Sequence, residues 1–467
     1  MSEAFHVALE TLAAPSARPA APEAASGWTF YIETFGCQMN DHDSEKVAGV
    51  LLGRGYRQVS SPEAARLVFY NTCSIREKAA HKLFSRLGLF DPKNGLLGGP
   101  EKIVGVLGCV AQQEGERIFE RAPWVSLVCG SASYRKLPML LAQLEAGQRH
   151  VAGLDTDTDE TFETELTRRD NPLRAYITII EGCDKACTYC VVPFTRGPER
   201  SRASAAVLDE TRQLAAAGYA EVMLLGQTVN SYSDPSPRRM TFAELLIAVS
   251  AVPGIRRVRF MTSHPRDLGA DIIAAMDSVP AICEHLHLPV QSGSTRVLEA
   301  MRRGYTREEY LEKLTLVRSA SRSISITTDV IVGFPGETEA DFEETLSLLD
   351  LAQYDGVFAF QYSPRPNTPA RTMPGAIAEE EKSRRLRILQ ERQRAIQEVR
   401  NQALVGSVVE VFVESAARRE NQWSGRTSSN RMVNITSPRE SLLGEYLNVR
   451  ITGAGANSLA GEHLISA

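Results

Sequence analysis

The 467-residue sequence contains no uncharged apolar run of the roughly 20 residues that a membrane-spanning helix requires, so we expect no contact with the membrane. It has no large excess of charge either. The formal net charge is −5 at pH 7, and any nucleic acid must therefore be held by local basic patches. Residues 1–27 have no apolar segment behind a basic start, which excludes a secretory signal and predicts a disordered leader.

Cysteine is scarce, with eight residues in the whole chain. A chain of this length can bury large cores and needs no disulfides to hold it. Without an export signal, the cysteines indicate a reducing compartment, and we expect a cytoplasmic protein. In that setting clustered cysteines are more often metal ligands or catalytic groups than disulfide partners.

Short apolar runs alternate with helical patterns over most of the chain, which predicts an α/β fold with a parallel sheet. An N-terminal parallel αβ domain is expected over 28–145, and an acid-rich linker over 146–170. Six strand–helix units in 171–401 predict a partial (β/α)6 barrel with its chemistry at the C-terminal ends of the strands. Short β-type runs between Gly, Ser and Asn turns in 402–467 predict a small, OB-like β-barrel.

Individual elements of the first domain can be placed from the same patterns. The first helix is predicted over Ser44–Arg54, behind possible capping residues Asp41 and Asp43. The strands are predicted at Trp28–Glu33, Leu67–Tyr70, Ile103–Leu107 and Val125–Val128.

Cys183, Cys187 and Cys190 follow the first predicted strand of the core, in the spacing CxxxCxxC. Three thiolates on one short loop can hold three irons of a cubane iron–sulfur cluster. A structural site is normally closed by a fourth ligand, whereas three ligands leave one metal position open to a substrate. A zinc site lacking one ligand and a redox-active thiol pair are the alternatives, and three cysteines within eight residues fit both poorly.

This spacing at the end of the first barrel strand resembles the signature of the radical S-adenosylmethionine enzymes. The resemblance implies that the open iron chelates S-adenosylmethionine and that reduction of the cluster releases a 5′-deoxyadenosyl radical. It also implies that Tyr189, the aromatic residue before the third cysteine, lies near the adenine. Residues that end later strands are expected beside the same cofactor, with ordinary turn or packing roles as the alternative: Gly226, Gln227, Ser263, His264, Val332 and Gly333.

A second set of cysteines, Cys37, Cys73 and Cys109, is spaced at intervals of 36 residues, and each closely follows a predicted strand. Because the carboxyl ends of parallel strands meet at one edge of the sheet, we expect the three thiols to converge there. They predict a second cluster, with individually buried cysteines as the alternative. Cys129 also ends a strand and is a weaker candidate for a fourth ligand, while Cys283 is expected in the core.

The segments around these cysteines resemble the methylthiotransferases, a subgroup of the radical S-adenosylmethionine family. Within it the chain is most similar to the MiaB type, because Gln38-Met39-Asn40 stands where the protein-modifying sibling has Pro-Lys-Asn. The resemblance extends over about Trp28 to Ile465. The runs that carry it are Thr34–Asn40 with Asp43–Glu45, Asn71–Ala79, Gly108–Gln112, Glu181–Lys185, Val191–Gly197 with Arg200–Arg202, and His287–Gly293.

The resemblance implies methylthiolation of N(6)-(dimethylallyl)adenosine next to the anticodon in tRNA, at carbon 2 of the base. It implies two 4Fe–4S clusters and S-adenosyl-L-methionine as cofactors, with sulfur coming from or through the cluster of Cys37, Cys73 and Cys109. The expected partners of this transferase are tRNA carrying prenylated adenosine, a low-potential electron donor of the flavodoxin or ferredoxin type, and a sulfur source. A monomer is expected.

Three alternatives remain open to the sequence. Two are the same chemistry on a ribosomal-protein aspartate and on threonylcarbamoyl-adenosine in tRNA. The third, of another class, is a non-catalytic iron–sulfur protein that binds RNA or carries electrons. Electron carriers usually close the cluster with four thiolates, which argues against the third.

The C-terminal segment resembles the TRAM domain, a small β-barrel that binds RNA. Residues 403–467 carry six Arg, no Lys and six Glu, so a polycationic grip on phosphate is not supported. RNA contact is instead expected from local display of Arg418, Arg419, Arg426 and Arg431. The helical segment Lys382–Arg400, with seven Lys or Arg against two Glu, favours further RNA contact over a merely solvated face.

Overall fold

The computed structural model describes residues 28–74, 77–93, 96–99, 101–156, 162, 167–417, 421–439 and 441–464. The predictions for the leader at 1–27 and for Arg418 and Arg419 lie outside these residues. Among the helices that the model describes, none is long and apolar enough to cross a membrane.

The N-terminal unit is a six-stranded parallel sheet with the order β2-β1-β3-β4-β5-β6. Helices cover both faces, because apolar side chains alternate to the two sides of the buried strands. The strands are β1 (Thr29–Phe35), β2 (Arg57–Gln58), β3 (Leu67–Thr72), β4 (Ile103–Leu107), β5 (Val125–Cys129) and β6 (Val151–Gly153). The helices are α1 (Gln38–Gly53), α2 (Glu77–Leu87), α3 (Gly108–Glu114), α4 (Arg117–Arg121) and α5 (Leu137–Glu145).

Two features of this unit differ from the sequence-based expectation. Helix α1 begins at Gln38, because the Asp41 amide already donates to the Cys37 carbonyl at 3.1 Å. Asp41 and Asp43 therefore lie inside the helix and do not cap it. The stretch 146–170, expected to be a linker, contains β6, which pairs in parallel with β5. A strand of three residues is too short to show a pattern in an acid-rich segment.

The central unit is a partial barrel of parallel strands in two three-stranded sheets, β7-β10-β11 and β12-β13-β14. A parallel bridge between Val258 and Ile282 joins the sheets. The strands are β7 (Arg174–Thr178), β10 (Glu221–Leu225), β11 (Arg257–Phe260), β12 (His285–His287), β13 (Ser325–Val332) and β14 (Gly356–Gln361), with β8 (Ile180–Glu181) and β9 (Arg200–Ser201) as a short antiparallel pair. The six predicted barrel strands are confirmed.

Helices pack outside this barrel, and their core contains alternate strand residues such as Ile326, Val330 and Val332. The intervening residues Thr327 and Asp329 face the interior, because successive side chains of a strand point to opposite sides. The helices are α6 (Val192–Arg196), α7 (Ser204–Ala216), α8 (Phe242–Ser250), α9 (Ala270–Ser278), α10 (Thr295–Ala300), α11 (Arg307–Arg318) and α12 (Glu339–Ala352).

Helix α13 (Glu379–Gln402) leads to a closed five-stranded barrel with the order β15-β16-β17-β19-β18. The fold class expected from the sequence is confirmed in all three units. The short β-type runs Val408–Val413, Arg431–Asn434 and Tyr446–Ile451 predict three of these strands, whereas in β16 and β19 Gly and Ser residues interrupt the apolar alternation. The strands are β15 (Val408–Ala416), β16 (Gln422–Thr427), β17 (Met432–Thr436), β18 (Tyr446–Ala454) and β19 (Leu459–His463).

The C-terminal barrel closes the amino end of the central barrel. Arg259, buried on β11, donates to the carbonyl oxygens of Thr427 at 2.8 Å and Ser428 at 3.1 Å. The Arg257 guanidinium donates to the Arg426 carbonyl oxygen at 2.9 Å. Arg259 also pairs with the fully buried carboxylate of Glu221 at 2.9 Å. One buried arginine thus connects two β-strands of the core with a turn of the next domain.

We expect Arg259→Leu to destabilise the protein by about 3–5 kcal/mol, because it leaves the buried Glu221 carboxylate without its nearest partner. The midpoint of thermal unfolding, followed by circular dichroism, measures the change. Arg212→Leu is the matched control, since its pair with Asp209 is exposed on both sides and contributes at most about 1 kcal/mol. Equal midpoints for the two variants would contradict the structural role of Arg259.

Candidate active site

Three cysteines of the N-terminal sheet lie at one edge, as the spacing predicted. Phe35 pairs with Thr72, and Asn71 pairs with Leu107, so β1, β3 and β4 end level with one another. Cys37, Cys73 and Cys109 follow these ends within one or two residues. We refer to them as the edge triad.

Two glycines allow the loops of the edge triad to approach one another. Gly36 has φ +145°, and a Cβ there would lie 2.3 Å from the Cβ of Cys73. Gly108 has φ +84°, and a Cβ there would lie 2.2 Å from Asn71 Oδ1. Any larger residue at either position would push backbone or a buried amide aside, so these glycines set the closeness of the three loops.

Hydrogen bonds connect the thiols with each other and with helix α1. A hydrogen bond with the Cys73 side chain lowers the pKa of Cys37 to about 6, although burial opposes the shift. The Cys37 thiol lies 3.3 Å from Asn40 Oδ1, and Asn40 Nδ2 donates to Asn71 Oδ1 at 2.8 Å. Burial raises the pKa of Cys109. The edge triad is therefore held by a buried amide network.

Cys183, Cys187 and Cys190, which we call the loop triad, lie on the segment after β8. Cys183 Sγ is 3.4 Å from Thr228 Oγ1, and Arg303 Nη1 donates to Cys187 Sγ at 3.5 Å. Burial, together with the neighbouring Cys187 thiol, raises the pKa of Cys190 to about 12. The three side chains are thus neighbours in a largely buried loop.

Of the residues expected beside a bound S-adenosylmethionine, Gln227 and Tyr189 contact the surroundings of the loop triad directly. Gln227 Oε1 accepts a hydrogen bond from the Gly182 amide at 2.7 Å. The Tyr189 hydroxyl accepts one from Arg303 at 3.3 Å. Gly226 packs so closely on Ile180 that a Cβ would lie 2.1 Å from its Cγ2 atom.

Ser263 and His264 keep buried polar atoms that no described residue satisfies. Ser263 Oγ and His264 Nε2 are both covered, and neither has a hydrogen-bond partner in the described part of the chain. Burial lowers the pKa of His264 to about 3, so the ring is neutral. Such unsatisfied groups are rare in packed interiors and fit a polar ligand.

Val332 and Gly333 have partners of their own within the protein. The Val332 carbonyl accepts from the Tyr362 amide at 2.8 Å, and the Gly333 amide donates to Glu337 at 2.6 Å. A Cβ at Gly333 would lie 2.4 Å from Lys382 Cγ, so this glycine lets α13 approach.

A buried arginine connects the two triads. Arg196, at the end of α6 and six residues after Cys190, donates to Asp43 at 2.5 Å and to Glu181 at 2.8 Å. Asp43 lies six residues after Cys37, and Glu181 lies two residues before Cys183. Arg196 also forms a hydrogen bond with the Cys109 side chain. One guanidinium thus contacts the edge triad and a segment close in sequence to each triad.

The barrel interior is lined with apolar side chains next to the edge triad. Met39, Met223 and Leu225 form one buried cluster, against which Cys37, Tyr176 and Met261 pack. On the opposite wall Phe358 and Phe360 pair in register with Asp329 and Ile331 of β13. These two rings remain 49% and 37% exposed, although they face the interior.

Polar groups of the interior stand beside these rings. The His287 ring meets Phe358 edge-on, with centroids 5.8 Å apart. His287 Nε2 is 3.5 Å from Asp329, and its Nδ1 is 3.0 Å from Thr327 Oγ1. The interior therefore offers an aromatic wall beside the Asp329 carboxylate and the His287 imidazole.

Sequence reasoning gave no role to Arg196 or Arg303, nor to the two phenylalanines. Arg196 lies in the run Val191–Gly197, only six residues after Cys190, and this closeness in sequence could have indicated a role beside the loop triad. Arg303 follows a short helix and donates to Cys187, Tyr189 and the Pro289 carbonyl, contacts that only the tertiary fold creates.

Of the four arginines expected to contact RNA, the structure describes Arg426 and Arg431, and both form ion pairs within the protein. Arg431 pairs with Asp355 at the junction with the barrel, and Arg426 lies 3.3 Å from Glu414.

Cys129 is buried in the apolar core of the sheet beside Leu107 and Leu127, and Cys283 is buried as expected.

The donor sets fit iron–sulfur clusters. All eight cysteines are free. Within the described ranges, no three His, Cys, Asp or Glu side chains are close enough to share a single metal ion. A cubane binds each thiolate at a different iron, so its ligands need not converge on one point. Three thiols at each site, with buried polar atoms beside the loop triad, suit a cluster with one open iron and a polar ligand.

Three family models match consecutive parts of the chain. Residues 29–130 match "Uncharacterized protein family UPF0004", residues 177–349 match the radical SAM superfamily, and residues 402–464 match the TRAM domain. Among solved structures, the radical S-adenosylmethionine methyltransferase TsrM from Kitasatospora setae has a TM-score of 0.55 at 14% identity, covering 73% of this chain and 77% of its own. That likeness supports the fold alone.

Relatives of known name match almost the whole chain. The tRNA-2-methylthio-N(6)-dimethylallyladenosine synthase of Solibacter usitatus is 63% identical, over 94% of this chain and 98% of its own length. The enzyme of the same name from Aquifex aeolicus is 44% identical over 93% and 98%. The chain is therefore a member of the tRNA-2-methylthio-N(6)-dimethylallyladenosine synthase family of radical S-adenosylmethionine enzymes.

Proposed function

We propose that the protein methylthiolates N(6)-(dimethylallyl)adenosine in tRNA at carbon 2 of the base. The observation that carries the proposal is that two separate cysteine triads border one apolar interior. Met39, two residues after Cys37, packs with Met223 and Leu225 of the barrel. A base held in the interior could thus meet groups bound at either triad.

In this proposal the loop triad holds the radical 4Fe–4S cluster, and the edge triad holds a second one. Support for the first comes from the spacing, the radical SAM match and the contact of Arg303 with Cys187. Support for the second comes from the level strand ends and the amide network around Asn40 and Asn71. Tyr189, Gln227, Ser263 and His264 are the proposed neighbours of S-adenosylmethionine, whereas Gly226, Val332 and Gly333 shape the backbone around it.

The loop triad would hold the cluster that, given one electron from an external donor, splits one S-adenosylmethionine into methionine and the radical that takes the C2 hydrogen. The edge triad would hold the group that supplies the sulfur, and a second S-adenosylmethionine would supply the methyl group and leave as S-adenosylhomocysteine. The C2–H bond is not activated toward polar chemistry, which is why a radical cofactor is needed. The chain contributes position and exclusion of water. Arg303 fixes Tyr189 and Cys187, and Arg196 fixes the two triads relative to each other.

The interior also accounts for a prenylated base. Phe358 and Phe360 offer apolar surface that no described side chain covers fully, and a branched five-carbon group gains free energy by burying it. Met223 and Met261 complete an adaptable apolar wall. The base must leave its stack in the anticodon loop to enter, as is usual for enzymes that modify bases.

The remaining partners follow from this reaction. A low-potential flavodoxin or ferredoxin type of donor would reduce the loop cluster, and a sulfur source would restore the edge cluster. We propose a monomer in the cytoplasm, with domains at about 28–153, 171–401 and 402–467. Arg418, Arg419 and Arg426 remain the proposed RNA contacts of the last domain. The ion pair of Arg431 with Asp355 favours a role at the domain junction instead.

Cysteine substitutions test the assignment of the triads. The anaerobically purified protein should contain about eight irons, from two four-iron clusters. A Cys37→Ala, Cys73→Ala, Cys109→Ala variant should keep about half of the iron and still release 5′-deoxyadenosine, but form no methylthiolated base. Cys187→Ala should lose 5′-deoxyadenosine and product alike. Iron analysis and nucleoside mass spectrometry measure these results.

Cys129→Ala is the control, since this thiol is buried in the sheet core and should leave the iron content unchanged. Circular dichroism checks that each variant folds. A folded edge-triad variant that still made methylthiolated adenosine over several turnovers would refute the sulfur-donor role of that triad.

Truncation of the aromatic wall tests where the prenyl group binds. Phe358→Ala should reduce the preference for a prenylated over an unprenylated anticodon stem-loop by roughly tenfold, because the five-carbon group loses its apolar partner. Equilibrium binding of the two stem-loops to the cluster-loaded enzyme measures the preference. Ile247→Ala, exposed on the outer surface of α8, should leave it unchanged. An unaltered preference in the Phe358 variant would place the prenyl group elsewhere.

A further inference from the structure

We propose that a groove between α13, β14 and the C-terminal barrel binds one nucleotide of the tRNA, outside the barrel interior. The inference rests on the proposed function, because it adds a second contact for the same RNA. The groove lies on the outer side of β14, opposite the face that carries Phe358 and Phe360, so it is separate from the candidate active site.

The groove has a volume of about 270 Å3 and is built from three elements. Val357 and Ala359 of β14 and the buried Leu389 of α13 form an apolar floor. Amide side chains and one guanidinium group also line it: Gln390, Gln393, Gln397, Asn457 and Arg394. The volume suits a base with part of its ribose, and the amide groups that line the groove can form hydrogen bonds with the edge of a base.

The wall from the C-terminal barrel is held in place by α13. Asn401 Nδ2 donates to the carbonyl oxygens of Gly455 at 2.8 Å and Ala456 at 3.1 Å. Gln397 Nε2 lies 3.5 Å from the same Ala456 oxygen. Asn457 therefore stands at a fixed position over the groove, on a domain that matches the TRAM model.

The charges of α13 distinguish the groove from the rest of the helix. Most of its cations are paired with carboxylates: Lys382, Arg384, Arg385, Arg392 and Arg400. In the described chain, Arg387 and Arg394 form no ion pair, and of these two only Arg394 lines the groove. We therefore assign the RNA contact predicted for the helical segment Lys382–Arg400 to Arg394, because its unpaired guanidinium can bind a phosphate.

Gln393 supplies an independent indication of a ligand. Its side chain is only 3% exposed, and its Nε2 donates to the Tyr354 carbonyl at 2.9 Å. Its Oε1 accepts no hydrogen bond from any described residue. A buried acceptor without a donor is energetically unfavourable, and a base N–H at the groove floor would satisfy it. Glutamine and asparagine amides are common partners of base edges.

Binding of tRNA to the cluster-loaded full-length enzyme tests the proposal. Arg394→Gln should weaken the affinity for tRNA roughly five- to tenfold and reduce the slope of log affinity against log salt by about one. Arg392→Gln is the matched control, because Arg392 lies two residues away on the same helix and pairs with Asp350. Its affinity and salt slope should equal those of the parent protein. Both positions are exposed, so neither variant should misfold.

Equal tRNA affinities for the Arg394 and Arg392 variants would overturn the proposal. A parallel titration with AMP distinguishes a site for free nucleotide. Saturable AMP binding lost in Arg394→Gln, with tRNA affinity unaltered, would also overturn it. Methylthiolation by the parent enzyme is measured on the same samples. Its failure would refute the proposed function, whereas a groove defect alone leaves that function standing.

Discussion

The relation between the two cysteine triads depends on one buried ion pair cluster. Arg196 is 2% exposed and is shared by Asp43 of the first domain and Glu181 of the second. Desolvating three charges is expensive, and only close contacts with good geometry offset it. Without the guanidinium, two carboxylates would be buried without the cation that lies between them. A shift of one domain relative to the other would break these ion pairs and therefore cost free energy.

The same principle recurs at the other end of the barrel. Arg257 and Arg259 donate to backbone carbonyl groups of the C-terminal barrel, and Arg431 pairs with Asp355 in return. These contacts hold the C-terminal barrel across the amino end of the central barrel. The domain that matches the TRAM model therefore has a structural role at the amino end of the central barrel.

The sequence predicted the six barrel strands, both triads and the three-domain order, because each rests on local periodicity or on cysteine spacing. It could not predict contacts that depend on the tertiary fold. Asp43 resembled a helix cap, and it became a buried partner of Arg196 because α1 begins six residues earlier than expected. Arg431 resembled a surface cation, yet Asp355, 76 residues away in sequence, pairs with it. The sequence does not distinguish Phe358 and Phe360 from other apolar strand residues, because the alternation of apolar residues does not show whether a side chain inside a barrel is covered or exposed.

The origin of the edge triad on three different strands has a consequence for biogenesis. The loop triad spans eight residues, so its thiols are neighbours even in a partly folded chain. The edge thiols meet only after β1, β3 and β4 have paired and after Gly36 and Gly108 have let their loops close. Under the proposed ligand assignment, a cluster there would cross-link two long loops and stabilise the folded sheet over the open chain. Delivery of iron and sulfur to the first domain would therefore act as a checkpoint on its folding, whereas the barrel could be loaded early.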